Sequence, residues 1–329
     1  MKIVVDAMGG DYAPRNIVAG VIEAIKEFNV QIALIGIKDR IEDELKKFDY
    51  PGDNLEIIHA PEVVEMDEPP ITSIRRKKES SISLGINLLK DPRYSAFVSA
   101  GNTGAVVAAA TFYLGMLEGV ERPAIGLIVP TLKRFSMLMD VGANTNPKPE
   151  HLLQWALMAR AYAKEVLDLE NPTIGLLNIG EEETKGSGFQ KETHKMMSER
   201  IKNFIGNIEP NEIFKGSADC IICDGFVGNV MIKVAEGLAE SAMALFKREI
   251  LKSPLAILGS FLIKSRLSRI KKMVDYTEYG SAPLLGVNGV VMISHGRSSP
   301  KAFKNAIRAT MREVEHNILG AMSRELAGK

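Results

Sequence analysis

Residues 97–110, Phe-Val-Ser-Ala-Gly-Asn-Thr-Gly-Ala-Val-Val-Ala-Ala-Ala, concentrate groups that could do chemistry in one turn. An apolar strand ends at Ser99, small residues follow, and the Ala/Val run continues as a helix. A turn between a strand's carboxyl end and a helix's amino end offers free backbone N–H groups and the positive end of the helix dipole, which together suit an anion such as phosphate. Ala100, Gly101 and Gly104 would let a ligand come close to the backbone, while Asn102 and Thr103 add short side-chain donors. The same residues also make a tight strand-to-helix turn that holds no ligand, and the turn by itself does not decide between the two.

Asp6, Ser99, Asp140, Gly180 and Asp224 each end a strand pattern, and each is followed by a turn containing Gly or Asn. In open parallel sheets the ligand crevice lies outside the carboxyl ends of the strands, so these turns are expected to converge on one site. The plainer account of Asp140 and Asp224 is a carboxylate capping the helix that follows. Arg75, Arg76, Lys77 and Lys78 form a run of cations ahead of the central turn, readable as a solvated helix face or as an approach to an anion. His295 follows an apolar strand, whereas His59, His151, His194 and His316 show no comparable setting, and no metal-ligand spacing appears among them. Cys220 and Cys223 look like C-x-x-C only as text: three apart in a strand, they face opposite sides, which favours separate buried thiols.

The elements that must carry these turns alternate strand and helix. Strands are expected at residues 3–5, 31–36, 55–59, 124–129, 135–140, 173–179 and 219–223, with helices at 14–28, 39–48, 149–166 and from 230 onward. Pro14 suits a first helical turn, and Ile17, Val21, Ile25 and Phe28 fall on one stripe. This alternation is the pattern of an α/β unit, a largely parallel sheet covered by helices. No G-x-G-x-x-G follows the first strand and no G-x-x-x-x-G-K-[ST] occurs, so the usual dinucleotide and P-loop readings lose their basis.

A chain of 329 residues is long enough for a single large α/β unit over 1–329, with or without two lobes around a cleft. Its 41 basic and 41 acidic residues give no global field that would draw nucleic acid. Two cysteines exclude a disulfide framework and fit a reducing cytoplasm. The amino terminus enters a strand pattern with no signal-like apolar region, and no apolar run approaches the ~20 residues that span a bilayer. A cytoplasmic location is expected.

Seven stretches carry a resemblance. Residues 6–11 (Asp-Ala-Met-Gly-Gly-Asp), Arg75–Lys78 with Ser80 and Ser81, Ser99 to Ala105, 140–144 (Asp-Val-Gly-Ala-Asn), 178–182 (Asn-Ile-Gly-Glu-Glu), 224–229 (Asp-Gly-Phe-Val-Gly-Asn) and 282–287 (Ala-Pro-Leu-Leu-Gly-Val) together resemble the bacterial phosphate acyltransferases of phospholipid synthesis, over almost the whole chain. Ser281 departs from the pattern, which carries glycine there. The resemblance implies transfer of a long-chain acyl group from acyl carrier protein to inorganic phosphate, yielding acyl phosphate for a membrane-bound glycerol-phosphate acyltransferase. It also implies a three-layer α/β/α fold akin to phosphotransacetylases and isopropylmalate-dehydrogenase-like proteins, usually as a homodimer, and no cofactor.

That chemistry accounts for the lack of a visible catalytic triad. Phosphate is already anionic and can attack a thioester directly, so the enzyme must chiefly hold it, align it and stabilise the tetrahedral oxyanion. On this reading Gly101, Asn102, Thr103 and Gly104 bind phosphate, Lys185 compensates charge, and Asn144 or Asn229 donates to the oxyanion. Asp6 and Asp140 in the phosphate site, and Asp224 in the catalytic group, orient those donors, because a carboxylate beside phosphate repels it. His295 either protonates the departing thiolate, binds phosphate or is a structural histidine. Arg75 to Lys78 are candidates for docking acidic acyl carrier protein.

Residues 247–272 hold eight basic residues and one acid around the apolar core 255–263. They read as an amphipathic insertion whose Leu255, Leu258, Phe261 and Leu262 meet a membrane surface, as a hairpin buried across a dimer, or as both. Two other functions stay open: a phosphotransacetylase that uses acyl-coenzyme A, and a non-catalytic protein that binds acyl carrier or a lipid surface.

Overall fold

The computed structural model of the protein describes residues 1–50, 52–266 and 281–328, apart from the side chain of Phe261. Short apolar runs rich in Val, Ile, Leu and Met form strands that side chains cover on both faces, as buried parallel sheets require. In the first half these are β1 (Lys2–Asp6), β2 (Gln31–Gly36), β3 (Leu55–His59) and β4 (Ala96–Ser99); helices α1 (Arg15–Phe28), α2 (Lys38–Leu45), α3 (Pro70–Arg76) and α4 (Ser81–Leu88) connect them. Then come α5 (Thr103–Leu114), β5 (Ala124–Pro130), β6 (Phe135–Met139), α6 (Pro149–Glu165), β7 (Ile174–Leu177), α7 (Gly188–Arg200), β8 (Phe204–Ile208) and β9 (Cys220–Ile222). The chain continues through α8 (Gly225–Leu251), α9 (Pro254–Leu262), β10 (Ala282–Leu285), β11 (Val290–Ile293), α10 (Pro300–Glu315) and α11 (Ile318–Ala327).

The described strands form one sheet in the order β3-β2-β1-β4-β11-β10-β5-β6-β9-β7-β8. Alternate residues feed opposite faces, which produces three layers. Ile3, Val5 and Met139 face α1, α6 and α10 through Val21, Trp155 and Phe303. On the other face Val4 and Phe97 meet α3, α4 and α5 through Ile74, Ile86 and Val106, and farther along Leu138 and Ile221 meet the start of α8. The expected α/β architecture is therefore present. The 173–179 strand is shorter than expected: Thr173 is engaged by Asp219, and Asn178 turns its side chain back to accept the Ile179 N–H at 2.8 Å.

Strand directions divide the sheet. β1, β4 and β11 are parallel, β10 is antiparallel to both β11 and β5, and β5 is antiparallel to β6, beyond which β9, β7 and β8 run parallel to β6. The carboxyl ends of β1, β4 and β11 thus leave one edge, and those of β6, β9 and β7 leave the other. At the back of the molecule the fully buried Tyr162 of α6 donates to Glu313 of α10 at 2.9 Å. Burial pushes the Glu313 carboxyl up to about 8.

Candidate active site

At the first edge the turns after β1 and β4 are built against each other. Asp6, fully buried, accepts the Met8 N–H at 3.0 Å and the Ser99 hydroxyl at 2.7 Å, and Ser99 Oγ in turn accepts the Gly101 N–H at 2.9 Å. A Cβ on Gly9 would lie 2.5 Å from the Gly101 nitrogen, so glycine here permits chain-to-chain approach. Asp6 is consequently no phosphate ligand. Burial holds its carboxyl above the usual aspartate range, against the bonds from Ser99 and Met8, and its role is to position the β4 turn.

Asn102 also differs from expectation. Its Oδ1 caps α5 by accepting the Ala105 N–H, and its Nδ2 is directed at the Glu65, Met66 and Glu68 carbonyls at 3.0–3.3 Å. Both faces of the amide therefore hold the 65–68 loop to the helix start. Gly104 is packed as well: a Cβ there would meet Pro70 Cγ at 2.5 Å. The first-turn N–H groups of Thr103 and Gly104 have no acceptor among the described residues. Thr103 is exposed, so an anion can reach this corner from solvent.

The β11 turn completes this edge. Ser294 N–H continues the ladder to the Ser99 carbonyl, and the Asp11 N–H bonds the Gly296 carbonyl. His295 Nδ1 accepts the Arg297 N–H at 3.2 Å, which puts the proton of a neutral ring on Nε2. Arg297 is exposed, with Nε 3.7 Å from Asp11 Oδ2. Sequence reasoning passed over Arg297 although it stands two residues beyond His295 in the same turn.

The second edge is organised by Asp140. Its Oδ1 accepts the N–H groups of Ile125, Gly142 and Ala143 at 3.0–3.1 Å, and its Oδ2 accepts the backbone and side-chain N–H of Asn144 at 2.7 and 3.0 Å. Burial raises the Asp140 carboxyl against these bonds. Asn144 gives its other amide hydrogen to the Pro123 carbonyl at 2.7 Å. Asn144 has no amide hydrogen left for an oxyanion, which corrects that expectation, while Asp140 orients Asn144 and the turn around it. They are a fixed corner on which α8 starts: Gly225 N–H bonds the Asn144 carbonyl, and a Cβ on Gly228 would fall 2.0 Å from the Asp140 carbonyl oxygen.

Asp224 caps α8 by accepting the Val227 N–H at 2.9 Å, as the plainer account holds. Asn229, one turn into α8, is exposed beside Gly142. Lys185 is exposed on the β7 loop, with Nζ 3.9 Å from Glu182. Asn207 supports that loop by donating to the Glu182 carbonyl at 3.0 Å. Thus Asn229, Lys185 and Asp224 share the second edge, while Thr103, Gly104 and His295 share the first. The strand ends carry the candidate residues on two edges of the sheet.

Only the first half of the cation run lies on a helix. α3 ends at Arg76, and Lys77 turns inward to bond Glu68 and the Val63 carbonyl, leaving Arg75, Arg76 and Lys78 exposed. Of residues 247–272, the first five, 247–251, complete the 27-residue α8. Leu255 and Leu262 of α9 are 81% and 82% exposed and Leu258 is exposed beside them; the side chain of Phe261 and residues 267–272 lie outside the described residues. Among the described residues no helix is long and apolar enough to cross a membrane. Both cysteines are buried and separate: Cys220 faces the Ala159 carbonyl and Cys223 the Asp140 carbonyl. Ser281 Oγ is buried without a partner among the described residues.

Residues 1–320 match a family model described as fatty acid synthesis protein. The chain is 48% identical over 317 residues to a phosphate acyltransferase of Dictyoglomus turgidum, covering 96% of this chain and 94% of that one. It is likewise 48% identical over 327 residues to a phosphate acyltransferase of Desulfitobacterium hafniense, at 99% and 98% coverage. Among solved structures it resembles a phosphotransacetylase from Streptococcus pyogenes with a TM-score of 0.64 at 18% identity, covering 96% of this chain and 94% of that one. The EutD phosphotransacetylase of Staphylococcus aureus gives 0.61 at 16%, with 95% and 94% covered. At such identities the structural likeness shows the fold.

Proposed function

The chain belongs to the phosphate acyltransferase family, and from that membership we propose that it moves a fatty acyl group from the thioester of acyl carrier protein to inorganic phosphate, releasing acyl phosphate for phospholipid synthesis. An oxygen of hydrogen phosphate attacks the thioester carbonyl, a tetrahedral oxyanion forms, and the carbon–sulfur bond breaks as the thiolate leaves and takes the proton that the phosphate brought. The observation that carries this reading is the start of α5, where Thr103 and Gly104 leave two N–H groups open at an exposed corner. Arg297 adds positive charge on the same edge, where His295 also stands. Asn229 and Lys185 stabilise the oxyanion from the second edge.

Arg75, Arg76 and Lys78 offer an exposed cationic surface for acidic acyl carrier protein. The exposed apolar residues of α8 and α9, among them Leu238, Leu255 and Leu262, suit a second copy of the chain and a membrane surface, near which a glycerol-phosphate acyltransferase would take the product. The protein thus works as a cytoplasmic homodimer resting peripherally on the membrane. The test is a competition between acyl carrier protein and coenzyme A thioesters with phosphate, the product trapped as its hydroxamate. Preference for the carrier thioester is expected; preference for coenzyme A would make the protein a phosphotransacetylase, and no turnover of either would leave only a binding role.

A further inference from the structure

A cavity of about 240 Å³ opens at the second edge, between α6, α7 and α8 and outside the carboxyl ends of β7 and β9. Its inner wall is Leu152, Leu176, Leu177 and Cys223, all buried; Ile179, 78% exposed, and Val227 stand at its mouth. The Cys223 sulfur is turned to the Asp140 carbonyl and burial pushes its thiol well up, so it contributes a neutral, apolar surface. The polar groups of its lining are Asn178, Ser187, Gln190 and the α8 cap Asp224. Asn229 lies one turn along α8 from that cap. A cavity with an apolar inner wall and a few polar groups in its lining takes a ligand of matching polarity, a hydrocarbon with a polar head.

We infer that this cavity receives the hydrocarbon chain of the acyl donor, with the thioester held at the rim near Asp224 and Asn229. The assignment rests on the acyl-transfer reading above. The inner wall then measures chain length: Leu152 and Leu176 stop the chain, and the Ile179–Val227 mouth admits it. No covalent step occurs in the cavity, which orients the carbonyl and excludes water around the chain.

The test uses the full-length protein with a fluorescent twelve-carbon fatty acid as probe, beside turnover of sixteen- and four-carbon acyl thioesters with phosphate. Leu152→Phe fills the inner end, Val227→Trp blocks the mouth, and Leu152→Met conserves volume; thermal melting checks that each is folded. Leu152→Phe and Val227→Trp should each weaken probe binding at least tenfold, Leu152→Phe should lower the sixteen- to four-carbon turnover ratio by a similar factor, and Leu152→Met should do neither. Unchanged probe binding in folded Leu152→Phe and Val227→Trp, or a Leu152→Phe ratio equal to that of the wild type, would overturn the assignment. Should wild-type protein turn over no thioester yet bind the probe in a manner that both substitutions weaken, the acyl-transfer reading fails and the hydrocarbon site stands.

Discussion

Asp140 collects five N–H groups on two buried oxygens, so Asp140→Asn would set an amide donor against backbone donors that cannot move away. We expect it to destabilise the fold by about 2–4 kcal/mol, read from denaturant unfolding. Asn229→Ala removes an exposed amide and should change stability by less than about 0.5 kcal/mol, while kcat/KM falls by about 10²–10³-fold if that amide meets the oxyanion. Kinetics unaltered in Asn229→Ala would remove it from the site. The contrast also marks what sequence can say about a residue. Asn102, Asn144 and Asn229 look alike in their turns; what separates them is whether carbonyls distant in sequence, those of residues 65–68 and of Pro123, already occupy the amide hydrogens. Gly104 is similar: its small size was legible, but the neighbour that requires it is Pro70 of α3 and not a ligand.

Packing between elements sets a pH dependence of stability. Glu313 is neutral against Tyr162 in the folded chain, its carboxyl raised by burial to about 8 from the ordinary 4.5. The unfolded chain therefore loses this proton first as pH rises. The stabilisation is complete below about pH 4.5 and is lost progressively up to about pH 8, at no more than about 1.4 kcal/mol per unit. Glu313→Gln keeps an acceptor for the Tyr162 hydroxyl and should flatten the slope, making the variant the more stable protein at pH 8 but not at pH 5, as urea midpoints at the two pH values would reveal. At α3 the inward turn of Lys77 divides the cation run by role. Arg75→Glu with Arg76→Glu should raise KM for the carrier thioester several-fold with a salt-dependent effect. Lys77→Ala should instead lower stability by freeing Glu68, whose carboxyl Lys77 holds below the usual range. An unchanged KM in the first variant would return these cations to an ordinary solvated surface.

Over the whole molecule, strand and helix alternation sufficed to foresee the layered α/β fold, because buried parallel strands show as short continuous apolar runs and amphipathic helices as a 3.6-residue period, and neither signal needs a partner to be seen. The reversal at β10, β5 and β6 could not be foreseen, since pairing direction is decided by which strands meet across the sheet, not by any one strand's residues. That reversal sends the carboxyl ends of the strands to two edges of the sheet. Beyond Gly228 the long α8 and the apolar α9 carry exposed hydrophobic residues that a solitary soluble chain has no reason to display. Vesicle co-sedimentation should grow with anionic lipid and weaken with salt, and Leu258→Glu with Leu262→Glu should abolish it while leaving the oligomeric state unchanged. Loss of vesicle binding together with dissociation to monomers would make this segment a subunit interface alone.

The central claim is direct attack of phosphate, held at the start of α5, on an acyl thioester. Its sharpest test supplies acyl carrier protein thioester with phosphate fully labelled in oxygen-18 and weighs the product by mass spectrometry. The account predicts acyl phosphate retaining every labelled oxygen, formed only when phosphate is present. Release of free fatty acid at a rate indifferent to phosphate would contradict it.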